Sequence, residues 1–453
     1  MRSPLPSFLL LAAALFITMT AHAADVTSAD LGVGGHSARL LTSGQSAYRV
    51  RDRNIATADV ILVKAYTILD DETGRAEMAL LADRARAGAK VFVEFDSKGT
   101  GHSIPQLLGV SLRLASAIPA HLRPLIEAGA HVIPTHVPKF GDMFRDRDHD
   151  KLIVTWKAGE PVRVIMGGMN IGNPYAWSGI WRNRTRKKVV AFRDTDVEIS
   201  GPETRSVIAG FIAATRAAGS SKLALLEDAV RPIGEDPIAF EAASSGRDVR
   251  ARYLRADPRH AQEQGQIERL YAQLIDETPS GETVTISNAY FLPTKTIEKA
   301  MRTAAARGVR FRIVANAPDV PERAAQLVAL AFRDALRRLQ KKMPPTSLVV
   351  IEWSGDASRN EGAIHQKTAK FGDADDAPVI VGSANLDHLS ARHNAEAVVV
   401  MRHKRIGQQF NALINRQLRD GNVHTVDARA LQADSWKKKA AGLVLNRILG
   451  RFL

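Results

Sequence analysis

The chain contains no cysteine. Disulfides and thiolate metal sites are therefore excluded, and stability has to come from core packing. Its histidines show no metal-site spacing, and no metal or cofactor is called for. Aromatic residues make up 6 % of the chain and are not interleaved with basic ones, a poor endowment for stacking nucleic-acid bases. Acidic residues are in deficit: 48 Asp and Glu stand against 62 Lys and Arg, a net charge of +14. That imbalance implies an anionic partner, whether phospholipid head groups, nucleic acid or an acidic polymer, without choosing among them. The apolar run at residues 8–19 has 12 residues, short of the ~18–20 that span a bilayer. With Arg2 before it and Ala21-His22-Ala23 after it, this run reads as a secretory signal. The expectation is an exported, periplasmic protein, peripheral to a membrane.

What the chain does have, it has twice. His149-Asp150-Lys151 is followed by Gly167-Gly168-Met169-Asn170, and 216 residues later His365-Gln366-Lys367 is followed by Gly382-Ser383-Ala384-Asn385. The His-to-Asn interval is 21 residues in the first copy and 20 in the second. The surrounding pattern is doubled too. An apolar strand (residues 58–66; 282–290) leads to a helix (77–87; 295–306), a glycine stop and a second strand (91–95; 311–315). The first strand ends on Tyr66 in one half and Tyr290 in the other. A helix crossing between strands implies a parallel pair. A further strand precedes each motif (130–134; 347–353), and hairpins follow it (151–156 with 162–166; 368–371 with 379–381). Strands at 196–200 and 396–401 close each set. The fold class is α/β: two pseudo-symmetric lobes, each a mixed β-sheet flanked by helices, with the active site at their interface. The division is 1–23 signal peptide, 24–215 first lobe, 216–252 linker region, 253–430 second lobe and 431–453 basic amphipathic tail.

Residues two apart on a strand share a face, so His149 projects with Lys151 and His365 with Lys367. The hairpins return Asn170 and Asn385 to the same sheet end. Six such side chains in one cavity suit a phosphodiester. Lysines and amides bind the non-bridging oxygens. One imidazole attacks phosphorus, and the other protonates the departing alkoxide and later takes a proton from the acceptor. Each ring needs an orienting carboxylate, and Asp196 and Glu396, on the closing strands, are the candidates.

These residues resemble the phospholipase D superfamily, whose signature H-x-K-x4-D and G-[GS]-x-N occurs twice per active site. Residues 167–173 and 193–198 are similar to the cardiolipin synthase branch, and the resemblance spans roughly residues 55–401. It implies a phosphatidyltransferase working through phosphohistidine, with His149 as nucleophile and His365 as acid/base. A phospholipase D hydrolase releasing phosphatidic acid is the alternative, and an exported phosphodiesterase or nuclease the second. The aspartate of the signature is replaced by Trp156 and Gly372. Gly168 and Ser383 are expected to bind substrate, and Arg182, Arg184 and Arg186, with Lys187 and Lys188, to form a basic rim. The tail places Trp436, Lys437, Lys438 and Lys439 at a membrane surface, with Ala441, Leu445, Ile448, Leu449 and Phe452 as its apolar stripe. Expected partners are anionic or zwitterionic phospholipid, an alcohol acceptor and the membrane surface. Nucleic acid is the less favoured partner, and no obligate protein partner is called for.

Overall fold

A computed structural model describes residues 32–101, 118–136, 147–177, 191–244, 248–260, 263–356 and 361–452. The signal segment and the rim residues Arg182, Arg184, Arg186, Lys187 and Lys188 lie outside the described residues.

Short runs of branched apolar residues make the strands. In the first half these are β1 (Val33–Leu41), β2 (Val60–Ala65), β3 (Lys90–Asp96), β4 (His131–Thr135), β5 (Arg147–Asp148), β6 (Leu152–Trp156), β7 (Arg163–Gly167), β8 (Ala191–Arg193) and β9 (Asp196–Ser200). The second half contributes β10 (Val249–Ala256), β11 (Thr283–Asn288), β12 (Arg310–Asn316), β13 (Leu348–Trp353), β14 (Glu361–Ile364), β15 (Lys367–Phe371), β16 (Val379–Gly382), β17 (Asn394–Arg402) and β18 (Val423–Val426). Every residue of β2, β11 and β16 is buried, as expected of strands covered on both faces. The expected crossovers are present: β2 and β3 are parallel, as are β11 and β12. Their helices, Glu72–Arg86 and Lys295–Ala306, are capped by Asp71 and Thr294. Gly88 and Gly308, at φ of 97° and 99°, then turn the chain out of each helix, a conformation few other residues adopt.

The strand order reads β4-β3-β2-β6-β7-β9-β1 from one edge and, inside an additional edge strand β18, β13-β12-β11-β15-β16-β17-β10 from the other. The two series are the same list, so the chain folds as two copies of one lobe. They meet where β1 pairs antiparallel with β10, two strands the sequence reading did not identify. The sheets also pack face to face: Val164, Met166, Val197 and Ile199 of the first share a core with Val379, Val381, Val399 and Met401 of the second. Each such buried side chain contributes about 1.5–3 kcal/mol. Residues 216–252 carry the helix Leu223–Glu235 before β10 begins.

The register corrects one equivalence. Lys64 of β2 pairs with Leu152, and Ser287 of β11 pairs with Thr368, so Tyr66 matches Ala289 rather than Tyr290. A second aromatic one residue further on made the two strand ends look alike.

Candidate active site

In each lobe β2 or β11 ends where β6 or β15 begins, so the His-x-Lys segments enter at one sheet end. β7 and β16 run back to that end and deliver Asn170 and Asn385 just beyond it. Two cross-lobe ladders then lock the histidines. β5 pairs in parallel with the start of β17, and β8 pairs in parallel with β14. The His149 amide donates to the Ala395 carbonyl at 2.8 Å, and the His365 amide to the Arg193 carbonyl at 2.7 Å. Each histidine is thus anchored to the other lobe by its own backbone.

The side chains cross in the same way. His149 Nδ1 lies 3.0 Å from both carboxylate oxygens of Glu396. His365 Nδ1 lies 2.6 Å from Asp194 Oδ2, not beside Asp196. Asp196 instead accepts from Arg51 Nη2 at 2.8 Å and from the Met169 amide at 3.1 Å, bracing the Gly-Gly-Met-Asn turn. The register gives the reason: Gly167 pairs with Asp196 while Gly382 pairs with Val398, so Asp194, two residues earlier, is the counterpart of Glu396. Counting back from the strand exits would have found it, because Asp194 precedes Ser200 by six residues, as Glu396 precedes Arg402.

The two carboxylates are held differently. Glu396 accepts from Ser383 Oγ at 2.5 Å and Ser390 Oγ at 2.7 Å. Burial would raise it, but His149, Lys151 and the Ser383 hydroxyl together keep it below the usual carboxylate range. Ser383, expected from sequence to bind substrate, here donates its hydroxyl to Glu396. Asp194 has a shorter reach and sits closer to the backbone. A Cβ on Gly168 would fall 2.2 Å from its Oδ1, so the serine of the second copy does not fit in the first. Gly168 instead lays its backbone against the His365 ring. Burial pushes Asp194 up to about 7, against the pull of Lys367 and Lys151.

Lys151 and Lys367 curl back, each donating to the carbonyl of its own histidine, at 2.6 Å and 2.5 Å. Burial lowers Lys151 to about 7, Lys367 adding to the effect, and burial lowers Lys367 to about 8. Burial, then Lys367, Lys151 and His149, hold His365 well below the ordinary imidazole value. The six groups thus act on one another as a single cluster. Asn170 donates from Nδ2 to Tyr175 Oη at 2.8 Å and accepts from the Thr67 amide at 3.2 Å. Asn385 Oδ1 is buried with no hydrogen-bond partner among the described residues.

Sequence reading missed the aromatic wall. Tyr66 stands edge-on to His149 at 4.8 Å between centroids, Tyr175 edge-on to His365 at 5.3 Å, and Phe192 stacks on His365 at 5.5 Å. Tyr175 and Ser390 both lie five residues past the motif asparagine, a shared offset that carries different residues and so left no repeat to notice. The middle residues of the motifs differ as well. Asp150 forms an ion pair with Lys64 at 3.1 Å and accepts from Arg255 Nε, across the seam, at 3.1 Å. Gln366 makes neutral bonds instead, to Ser287, Gln417 and Thr195. Of the remaining expected contacts, Trp436, Lys437, Lys438 and Lys439 open the C-terminal helix Trp436–Phe452 and are not part of this cluster.

Each lobe thus lends a carboxylate to the other's histidine. Residues 271–418 match the family described as "Cardiolipin synthase, PLD-like domain". The chain thus carries a phospholipase D-like domain. It is 25 % identical to cardiolipin synthase A of Pseudomonas putida (strain GB-1) over 433 residues, which is 93 % of this chain and 76 % of that one. Cardiolipin synthase A of Pseudomonas aeruginosa (strain LESB58) is 25 % identical over 395 residues, 86 % of this chain and 69 % of its own. The fold is that of the phosphatidylserine synthase of Haemophilus influenzae Rd KW20, with a TM-score of 0.60 and 16 % identity over 92 % of this chain and 95 % of that one. The signature aspartate of the superfamily is absent because its positions are a buried Trp156 closing β6 and Gly372, at φ 121°, in the turn before β16.

The charges of this phospholipase D-type site set a pH dependence. Asp194 is a carboxylate only above about 7, whereas Lys151 and Lys367 carry their charges only below about 7 and 8. We expect kcat/KM to fall above neutrality, as the His365–Asp194 pair and the lysines lose their protons. Lys151→Arg, whose guanidinium stays charged, should carry the alkaline limb upward. A profile flat on its alkaline side, or unmoved in that variant, would contradict this assignment.

Proposed function

We propose that this chain is a phosphatidyltransferase of the cardiolipin synthase kind. The observation that carries the reading is the crossed pair of His–carboxylate contacts with two lysines in one buried cluster. Similarity to cardiolipin synthases over 93 % of the chain supplies the substrate class, a phospholipid phosphodiester.

In the first step Nε2 of one imidazole forms an N–P bond as the P–O bond to the head-group alcohol breaks. The second imidazole gives its proton to the departing alkoxide. In the second step an acceptor alcohol gives its proton back to that imidazole, its oxygen bonds phosphorus, and the N–P bond breaks. Lys151 and Lys367 offset the charge gathering on the non-bridging oxygens. Glu396, held anionic, fixes the Nδ1–H of His149 and leaves Nε2 with its lone pair, which suits the nucleophile. The His365–Asp194 pair, with a carboxyl that titrates near neutrality, suits the group that passes a proton out and back. Phosphatidylglycerol or glycerol fits as acceptor, and the chain works as an exported, periplasmic protein peripheral to a membrane, a reading supported by its N-terminal sequence and its charge of +14.

The test uses protein recovered from the exported fraction, its N terminus read, and incubated in chelator with labelled phosphatidylglycerol, with and without added glycerol. Cardiolipin is the expected product. Phosphatidic acid alone would make the chain a hydrolase, and degradation of DNA with no lipid product would overturn the lipid reading.

A further inference from the structure

The C-terminal helix Trp436–Phe452 does not present the face its sequence suggested. It lies along the helix Arg323–Lys342 with both chains running the same way. Gly442 meets the Leu330 carbonyl so closely that a Cβ there would come within 2.7 Å. One turn on, Asn446 Nδ2 donates to Asp334 Oδ2 at 2.7 Å. Leu445, expected on the outer stripe, packs against the core of the second lobe.

The opposite face is therefore the free one, and it is apolar. Trp436 is 73 % exposed, Leu443 43 % and Val444 54 %, and Leu327 on the neighbouring helix is 48 % exposed. Positions 436, 440, 443, 444 and 447 repeat at helical spacing and share one side. Arg447 lies on that side and Lys437 borders it, and the helix contains no acidic residue. The helix also contacts the short helix His388–Arg392, which directly follows the Asn385 turn.

We propose that this helix pair is a docking surface for an anionic bilayer, with Trp436, Leu443 and Val444 entering the head-group layer while Lys437 and Arg447 meet lipid phosphates. Charge decides the occupant. A C-terminal helix with cations and no acid of its own complements phosphates spread over a surface, and long cationic side chains reach such phosphates while their stems lie on apolar ground. Tryptophan at the polar–apolar boundary suits the same setting. The contact with the helix after Asn385 joins the surface to the catalytic turn. This deepens the phospholipid reading above but is measurable without turnover.

The test sediments the full exported chain with vesicles of phosphatidylcholine, alone or doped with phosphatidylglycerol. Binding is expected only to the doped vesicles and should weaken with salt. Val444→Asp, and separately Lys437→Gln with Arg447→Gln, should each lower partitioning by about tenfold or more. Turnover of a dispersed short-chain phosphatidylglycerol should not change in either. No binding of the unaltered chain to doped vesicles, or equal binding by both variants, would overturn the proposal. So would a Val444→Asp change that dissociates a dimer and spares vesicle binding. Vesicle binding lost in the variants, with no lipid product from any form, would leave the surface standing and remove the transferase reading.

Discussion

His149→Ala and His365→Ala are each expected to lose turnover by about 10⁴-fold or more, with the fold intact. His149 is buried and His365 partly buried at the seam, and each is fixed at Nδ1 by a carboxylate of the other lobe, so no neighbouring group can take over either task. An activated substrate separates the roles. A phosphodiester with a nitrophenolate leaving group departs without a proton. His365→Ala should then give a single burst of nitrophenolate and stall as phosphohistidine, whereas His149→Ala should give none. The measurement is the rapid-quench burst, with mass spectrometry locating the phosphoryl group. A burst in His149→Ala would reverse the two assignments, and substantial steady-state activity in either variant would end the shared-site account.

The second large effect distinguishes the carboxylates. Glu396→Gln and Asp194→Asn should each lower kcat by about 10³–10⁴-fold, because a ring turned to the wrong tautomer offers phosphorus no lone pair or no proton. Asp196→Ala should behave differently. Its partner is Arg51, a buried guanidinium, and stranding that charge is expected to cost about 3–5 kcal/mol of stability, read as a lower denaturant midpoint. If Asp196→Ala proved as inactive as Asp194→Asn while unfolding at the parent midpoint, the orienting role would pass to Asp196.

These expectations also mark where the sequence could be read and where it could not. The doubled strand–helix–strand pattern was legible because period, glycine stops and apolar runs repeat at matching intervals, and the parallel pairs β2–β3 and β11–β12 follow from it. The His, Lys and Asn residues were legible for the same reason. Strands β1 and β10 were not, since their exposed and buried residues alternate irregularly and their pairing joins residues more than two hundred apart. Asp194 was missed because Asp196 has the same strand parity, and parity alone cannot fix a register. Tyr175 and Phe192 were missed because nothing in the second half repeats them.

The crossing of backbone and carboxylate between the halves makes them hostages of each other. A small parting along the β5–β17 and β8–β14 contacts would unseat both rings at once, long before either core melts. Catalytic competence in this molecule is thus a report on alignment of the halves rather than on integrity of each, and heat or denaturant should silence the enzyme while its helices still give a full signal. The same interlock shapes drift. A change beside one ring is answered on the opposite half, as the glycine–aspartate and serine–glutamate combinations already illustrate.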